Sequence, residues 1–311
     1  MADLYLGIDT SNYRTSAALI DREGKIILNI RNLLDVPEGK RGLRQSDAFF
    51  SHVQRLPGII DDIMEYRAEI RGISVSSKPR PREGSYMPCF TAGTACAREL
   101  ASALNVPLKE TSHQEGHIEA VRFYSDLRDC DDVLFFHFSG GTTEAVYKDD
   151  IVGGTLDIAL GQVLDRLGVS LGLAFPAGEA MDKTAMSSAR SSSVLTPVKV
   201  NDGFMNLSGI ETQSMRKAEE LSSSGQSADE LIREVFDRLG AAIRDMALQL
   251  MKKYNTKYLI FAGGVSSSEY LRRYLSENLP GDSAAVFGTP ELSGDNAVGT
   301  ALIGMRAFTG R

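Results

Sequence analysis

The first stretch with a clear hydrophobic pattern is "LYLGIDTSNYRTSAALIDREGKIILNIR". An apolar run ends in Asp9-Thr10-Ser11, a second ends at Ile20, and a third follows a turn at Asp21-Arg22-Glu23-Gly24. Short β-branched and aliphatic runs separated by polar turns predict three strands in a row. The pattern returns at Val133. "VLFFHFSGGTTEAVYKDDIVGGTLD" predicts a strand ending in Ser139-Gly140-Gly141, a second over Thr143 to Tyr147, a turn at Lys148-Asp149-Asp150, and a third strand. Helix-period segments follow each triplet. Ala48 to Tyr66 and Thr91 to Ala103 flank the strand "EIRGISVSS". Asp229 to Lys253 precedes "KYLIFAGGVSSSEYLRRYLSENL", which reads as a buried strand, a Gly-rich turn and an amphipathic helix. Repetition on this scale implies two related α/β domains.

The turns add chemistry to the pattern. Glycine after a strand lets backbone approach a phosphate closely, although many such turns carry glycine for packing alone. Two hairpin loops, "GIDTS" and "FSGG", can hold a polyphosphate between them, with the turn "AGGVSSS" under a base. Taken together the three turns resemble those of the actin, hexokinase and Hsp70 superfamily. That resemblance implies duplicated ribonuclease H-like α/β domains with a nucleotide cleft between them. The expected division is a first domain over 1–131, joined by a C-terminal helix over 296–311, and a second over 132–295.

The chain has 311 residues, 42% hydrophobic and 24% charged, ordinary values for a globular protein of one large or two medium domains. No basic n-region precedes the first strand and no apolar run is long enough to span a bilayer, so the expectation is a cytoplasmic protein without membrane contact. Cys89, Cys96 and Cys130 are scattered and odd in number, which offers neither a disulfide framework nor a CxxC metal site; Cys96 is expected in a helix core. A net charge of −7 argues against holding nucleic acid by bulk electrostatics. The densest cationic stretch, "SSKPRPREGSY", reads as an extended exposed loop, either simply solvated or a nucleic-acid contact.

Two of the four histidines stand together in "KETSHQEGHIEA". At i and i+4 on a helix, His113 and His117 present both imidazoles on one face, which suits a metal ion. The alternative is a helix start at Ser112 that happens to carry two polar histidines. A zinc-peptidase reading is weak on geometry, because Glu115 lies two residues after His113 and two helical steps turn a side chain by about 200°.

Within the superfamily, "SHQEGHIEA" is similar to the His-x-Glu-Gly-His segment of the catalytic subunit of threonylcarbamoyladenosine synthase, the tRNA adenosine threonylcarbamoyltransferase family. "GGTLDIALGQVLDRLGVSLGLAFPAGEAMDK", "FMNLSGIET" and "LSGDNAVGTALIG" resemble further stretches of that family, so the likeness covers nearly the whole chain. It implies transfer of a threonylcarbamoyl group from threonylcarbamoyl-AMP to a tRNA adenosine, with one divalent metal ion, iron or zinc, and an adenine nucleotide or threonylcarbamoyl-AMP as cofactor. The metal ligands it implies are His113, His117 and Asp295, with Asp295 closing the site from the second domain. His137 is a further candidate, at a position where some members carry a metal-binding tyrosine, or else a histidine packed in a sheet. His137, Phe138, Ser139, Gly140 and Gly141 match the loop that contacts the nucleotide, Asp165, Gly178 and Asp182 its ribose and base contacts, and Gly264 and Ser268 the third turn. No catalytic side chain is singled out.

The resemblance also implies tRNA and other synthase subunits as partners, or a second copy of this chain. Three departures mark a divergent member. Ser268 replaces an asparagine, Glu211 a lysine, and the 76–86 loop a Gly-Pro-Gly type turn. Glu211 is therefore expected to disfavour a phosphate. The competing reading is a non-catalytic paralogue that serves as a nucleotide-binding partner subunit, for which metal-spaced histidines have no use.

Overall fold

The computed structural model describes residues 3–11, 13–35, 43–148 and 150–310, so Asp149 of the expected turn lies outside the described residues. The chain begins with β1 (Leu4–Asp9), β2 (Arg14–Asp21), β3 (Ile26–Leu33), α1 (Gln45–Met64), β4 (Ile70–Lys78), α2 (Phe90–Leu104), β5 (Leu108–Ser112) and α3 (His113–Phe123). There follow β6 (Val133–Phe138), β7 (Thr143–Tyr147), β8 (Asp150–Thr155), α4 (Leu160–Ser170), α5 (Gly178–Ser187), β9 (Val200–Asn201), β10 (Phe204–Met205), α6 (Ser208–Ser223) and α7 (Asp229–Tyr254). Next come β11 (Tyr258–Ala262), a 3-10 turn over Gly264–Ser267, α8 (Glu269–Asn278) and β12 (Ala284–Phe287). The chain ends with α9 (Pro290–Ser293) and α10 (Val298–Thr309).

Two compact units result. Among the described residues, one holds 3–11, 13–35, 43–128 and 289–310, and the other holds 129–148 and 150–288. The first sheet has the order β3-β2-β1-β4-β5, and the second runs β12-β11-β6-β7-β8-β10-β9. In the first, β1 pairs antiparallel with β2 and parallel with β4; in the second, β6 pairs antiparallel with β7 and parallel with β11. Strands β8-β7-β6-β11-β12 therefore repeat the order and directions of the first sheet, as the recurring triplets implied. The added pair β9 and β10 extends only the second.

Each unit has its own apolar core. In the first, Leu6, Ile8, Ile73 and Val75 meet Leu56, Ile59 and Ile63 of α1. The buried positions of α1 recur at Ala48, His52, Leu56, Ile59 and Ile63, a helical stripe in which one member is a histidine. His52 is fully buried and its Nδ1 lies 2.9 Å from Thr15 Oγ1. Burial pushes its pKa down to about 4. A histidine whose folded-state pKa lies below its unfolded value costs stability when protonated, so its contribution is complete above about pH 6.5 and is lost as pH falls through 4. Acid titration of the first unit's stability is expected to lose on the order of 2–3 kcal/mol in that window. His52→Gln should flatten the slope, as read by urea denaturation at stepped pH; an unchanged slope would place the titration elsewhere.

The last helix enters the first unit by close backbone approach. A Cβ on Gly7 of β1 would stand 2.3 Å from the Ala297 carbonyl, and one on Gly299 would stand 1.8 Å from the Gly116 carbonyl of α3. Residues from Thr289 onward thus belong with α3 and β1, and Asp295 with them. This differs from the expected boundary after Asp295, because α9 packs on α3 and Arg31 of β3 donates to the Glu291 carbonyl. No helix among the described residues is long and apolar enough to cross a membrane.

Candidate metal centre

Ser112 ends β5 and caps α3. Its Oγ accepts from Glu115 N, and the Glu115 carboxylate accepts from Ser112 N at 2.7 Å, a closed capping box. Glu115 is thus spent on the helix start, consistent with the weakness of a peptidase reading. The box fixes the first turn of α3, and with it the direction of His113 and His117. Gly116 between them lets α10 approach, since a Cβ there would meet Thr300 Oγ1 at 3.0 Å. The loop entering α10 then delivers Asp295.

Three donor atoms converge. His113 Nε2 and His117 Nε2 are 3.0 Å apart, and Asp295 Oδ1 lies 3.5 Å from the first and 3.3 Å from the second. Ligands about 2.0–2.1 Å from a tetrahedral ion are about 3.3 Å from one another, so the set fits one ion with small adjustment. Behind it stands a residue far from the histidine pair in sequence. Asp9, 1% exposed at the end of β1, places Oδ2 2.8 Å from His113 Nδ1 and accepts from Ser11 N at 2.9 Å through Oδ1. A carboxylate on Nδ1 sets the tautomer that leaves Nε2 free to ligate.

The electrostatics follow from this packing. Burial opposes charge on His113, but Asp9 and Asp295 outweigh it and raise the imidazole to about 10. His117 is lowered by burial and by the His113 charge. Asp295 is held well below the usual carboxylate range against its burial, by hydrogen bonds and charge from both histidines. Two imidazoles and one carboxylate suit zinc or iron(II).

In the second unit, β6 carries His137, 2% exposed, into the loop Ser139–Thr142. His137 pairs across the sheet with Glu144 and Ala262 and is not part of the three-residue donor group, which lies wholly in the first unit. Phe138 is buried in the core of its unit. Ser139 Oγ accepts from Thr142 N at 3.1 Å, and Gly140 and Gly141 face open space. Gly263 has a φ of 91°, which favours glycine, and its Cα also faces the Phe138 carbonyl, 2.4 Å from where a Cβ would stand; Gly264 after it is open. Asp165 accepts from Ala177 N at 2.8 Å, at the start of the helix that begins with Gly178. Burial raises its pKa, and the Ala177 and Gly178 amides oppose the rise.

Asp182 is engaged more fully. It accepts from Ser268 Oγ, from Glu269 N at 2.9 Å and from Tyr270 N at 3.1 Å, while Ser268 Oγ caps α8 by accepting from Leu271 N. Both side chains hold a helix N-terminus. Asp182→Ala should therefore destabilise the second unit by about 2–3 kcal/mol by orphaning these donors. Urea denaturation checks this, and unchanged stability would free Asp182 from the structural role.

A model of the tRNA N6-adenosine threonylcarbamoyltransferase family matches residues 34–302. The chain belongs to that family. It is 28% identical to the tRNA N6-adenosine threonylcarbamoyltransferase of Pyrobaculum arsenaticum over 309 residues, covering 98% of this chain and 90% of the relative. To the Bacillus subtilis enzyme of the same name it is 27% identical over 324 residues, covering 98% and 91%. Among solved structures, it is similar to T. kodakarensis HypF, with a TM-score of 0.65 and 14% identity over 99% of this chain and 48% of the other. A second is component A of the Acidaminococcus fermentans (R)-2-hydroxyglutaryl-CoA dehydratase, with a TM-score of 0.62 and 12% identity over 99% of both chains. These likenesses show the fold alone, that of the actin-like ATPases.

Against the threonylcarbamoyltransferase family's pattern, two departures acquire a physical reading. Glu211 Oε1 lies 2.9 Å from Arg166 Nη1, with the carboxylate side chain 17% exposed. The inverted charge is matched by a cation from α4, so Glu211 presents a neutral pair rather than the bare repulsion the sequence suggested. The 76–86 loop is tied to α3 through Pro79, whose carbonyl accepts from Gln114 N at 3.1 Å. The expected helix-core position of Cys96 is only half-buried, while Cys89 is fully buried.

Proposed function

We propose that the protein transfers a threonylcarbamoyl group from threonylcarbamoyl-AMP to an adenosine of tRNA, with one divalent ion, zinc or iron, held by His113, His117 and Asp295. The convergence of those three donors in a member of this family carries the reading. A bound ion would supply a Lewis acid that polarises the acyl carbonyl and orients the donor. The chain's own part is preorganisation. Asp9 holds the His113 ring, the Ser112–Glu115 box holds the first turn of α3, and Gly116 and Gly299 bring Asp295 within reach.

In the same reading, His137, Phe138, Ser139, Gly140 and Gly141, together with Asp165, Gly178, Asp182, Gly264 and Ser268, hold the adenylate. What supports this is the open backbone at Gly140, Gly141, Gly178 and Gly264. The net charge of −7 favours borrowing tRNA-binding surface from associated subunits or from a second copy of the chain. The alternative of a non-catalytic partner subunit gives no reason for a buried, carboxylate-backed donor group. The test is to incubate metal-loaded protein with threonylcarbamoyl-AMP and tRNA, with and without partner subunits, and to analyse the digested nucleosides by mass. Threonylcarbamoyladenosine that disappears in His117→Ala supports the proposal, and its absence under every condition leaves the partner-subunit reading.

A further inference from the structure

The face of the first sheet that α10 covers ends in two arginines. In the register of β2 and β3, Arg14 stands opposite Leu33 and Ser16 opposite Arg31, so Arg14, Ser16 and Arg31 share one face with the arginines on its diagonal. Further along β2, Ala18 and Ile20 on that face pack against Ala297, Ala301 and Leu302 at the C-terminal helix. The Arg31 guanidinium reaches the Glu291 carbonyl of α9, four residues before the ligand Asp295. Burial and the Arg14 charge press the Arg31 pKa down, while the Glu291 and Asp295 charges pull it up. The two cations and the donor group are therefore electrostatic neighbours within one unit.

The cluster has unspent capacity. Among the described residues, the Arg14 side chain makes no hydrogen bond or ion pair, and the Arg31 guanidinium donates to a main-chain carbonyl rather than to a carboxylate. Ser16 Oγ and Ser293 Oγ, on residues that are fully buried, also lack hydrogen-bond partners among the described residues. Two neighbouring guanidinium groups repel, and a buried hydroxyl without a partner is costly. An anion received there answers both, since forked N–H donors match a carboxylate in two parallel bonds and a serine hydroxyl can add a third.

We infer that Arg14 and Arg31, with Ser16, form a carboxylate subsite beside the His113–His117–Asp295 group and take the free carboxylate of the amino-acid moiety in the transferred acyl group. This rests on the threonylcarbamoyl reading for the identity of that moiety. A carboxylate is preferred over a phosphate because the adenylate phosphate has its own candidate cradle in the open Ser139–Gly141 backbone of the second unit.

The test is calorimetry on metal-loaded protein with N-carbamoyl-L-threonine, its carboxamide and inorganic phosphate as probes. The acid is expected to bind at least roughly tenfold tighter than the amide, and Arg14→Gln or Arg31→Gln to erase that preference while metal content and circular dichroism stay unchanged. Arg14→Lys should keep part of it, since charge remains without the fork. Equal binding of acid and amide, no measurable binding of the acid, tighter binding of phosphate, or a preference that survives both glutamine variants would overturn the subsite. The last result would assign the carboxylate to the ion. An arginine-dependent preference for the acid in a protein that fails the tRNA assay would retain the subsite and sink the transfer reaction instead.

Discussion

Gly299→Ala is expected to lower the first thermal transition by on the order of 10 °C, equivalent to more than about 3 kcal/mol. The added methyl would meet the Gly116 carbonyl oxygen at 1.8 Å, its carbon at 2.7 Å and Ala120 N at 2.8 Å. All three are backbone atoms of a helix, which cannot rotate out of the way as a side chain can. The two helices must separate, and because Asp295 enters with α10, separation also opens the donor group. Gly116→Ala should be milder, since its methyl meets the Thr300 side chain at 3.0 Å. Differential scanning calorimetry of both variants checks the ordering. A Gly299→Ala protein as stable as the parent would refute the close α3–α10 seam.

Asp9→Asn is expected to weaken metal binding by about 10–100-fold with little change in fold. The carboxylate serves two donors on two oxygens, Ser11 N and His113 Nδ1. An asparagine has only one acceptor oxygen. If it keeps the bond from Ser11 N, its amide turns to His113 and favours the tautomer with the proton on Nε2, the atom required for ligation. Competition against a chelator of known affinity reads the effect directly, and an unaltered affinity would show that Asp9 does not set the imidazole.

Much of this was legible in the sequence, and what was not has identifiable causes. The duplicated strand order was readable because each triplet is local: three apolar runs joined by short turns keep their pattern whatever else the chain does. The His113–His117 pair was readable for the same reason, since four residues along one helix fix a shared face. Asp9 was not, because its contact spans 104 positions and depends on a sheet order in which only β4 separates β1 from β5. The pairing of Glu211 with Arg166, 45 positions apart on two helices, was hidden likewise, so a charge reversal looked isolated when it is matched. Asp182 and Ser268 read as nucleotide contacts by resemblance, while their hydrogen bond to each other at the start of α8, across 86 positions, left no mark in the sequence. The placement of Asp295 turned on glycines whose meaning is the backbone they admit, which no spacing reveals.

His113, His117 and Asp295 are expected together to hold one divalent ion, and the proposed chemistry depends on it. Elemental analysis of the purified protein, of His117→Ala and of Asp295→Ala, each checked by circular dichroism, tests it directly. About one zinc or iron per chain is expected in the parent, with a large loss in both variants and the fold retained. Stoichiometric metal in both folded variants, or a parent that binds no divalent ion when offered zinc or iron(II), would contradict it.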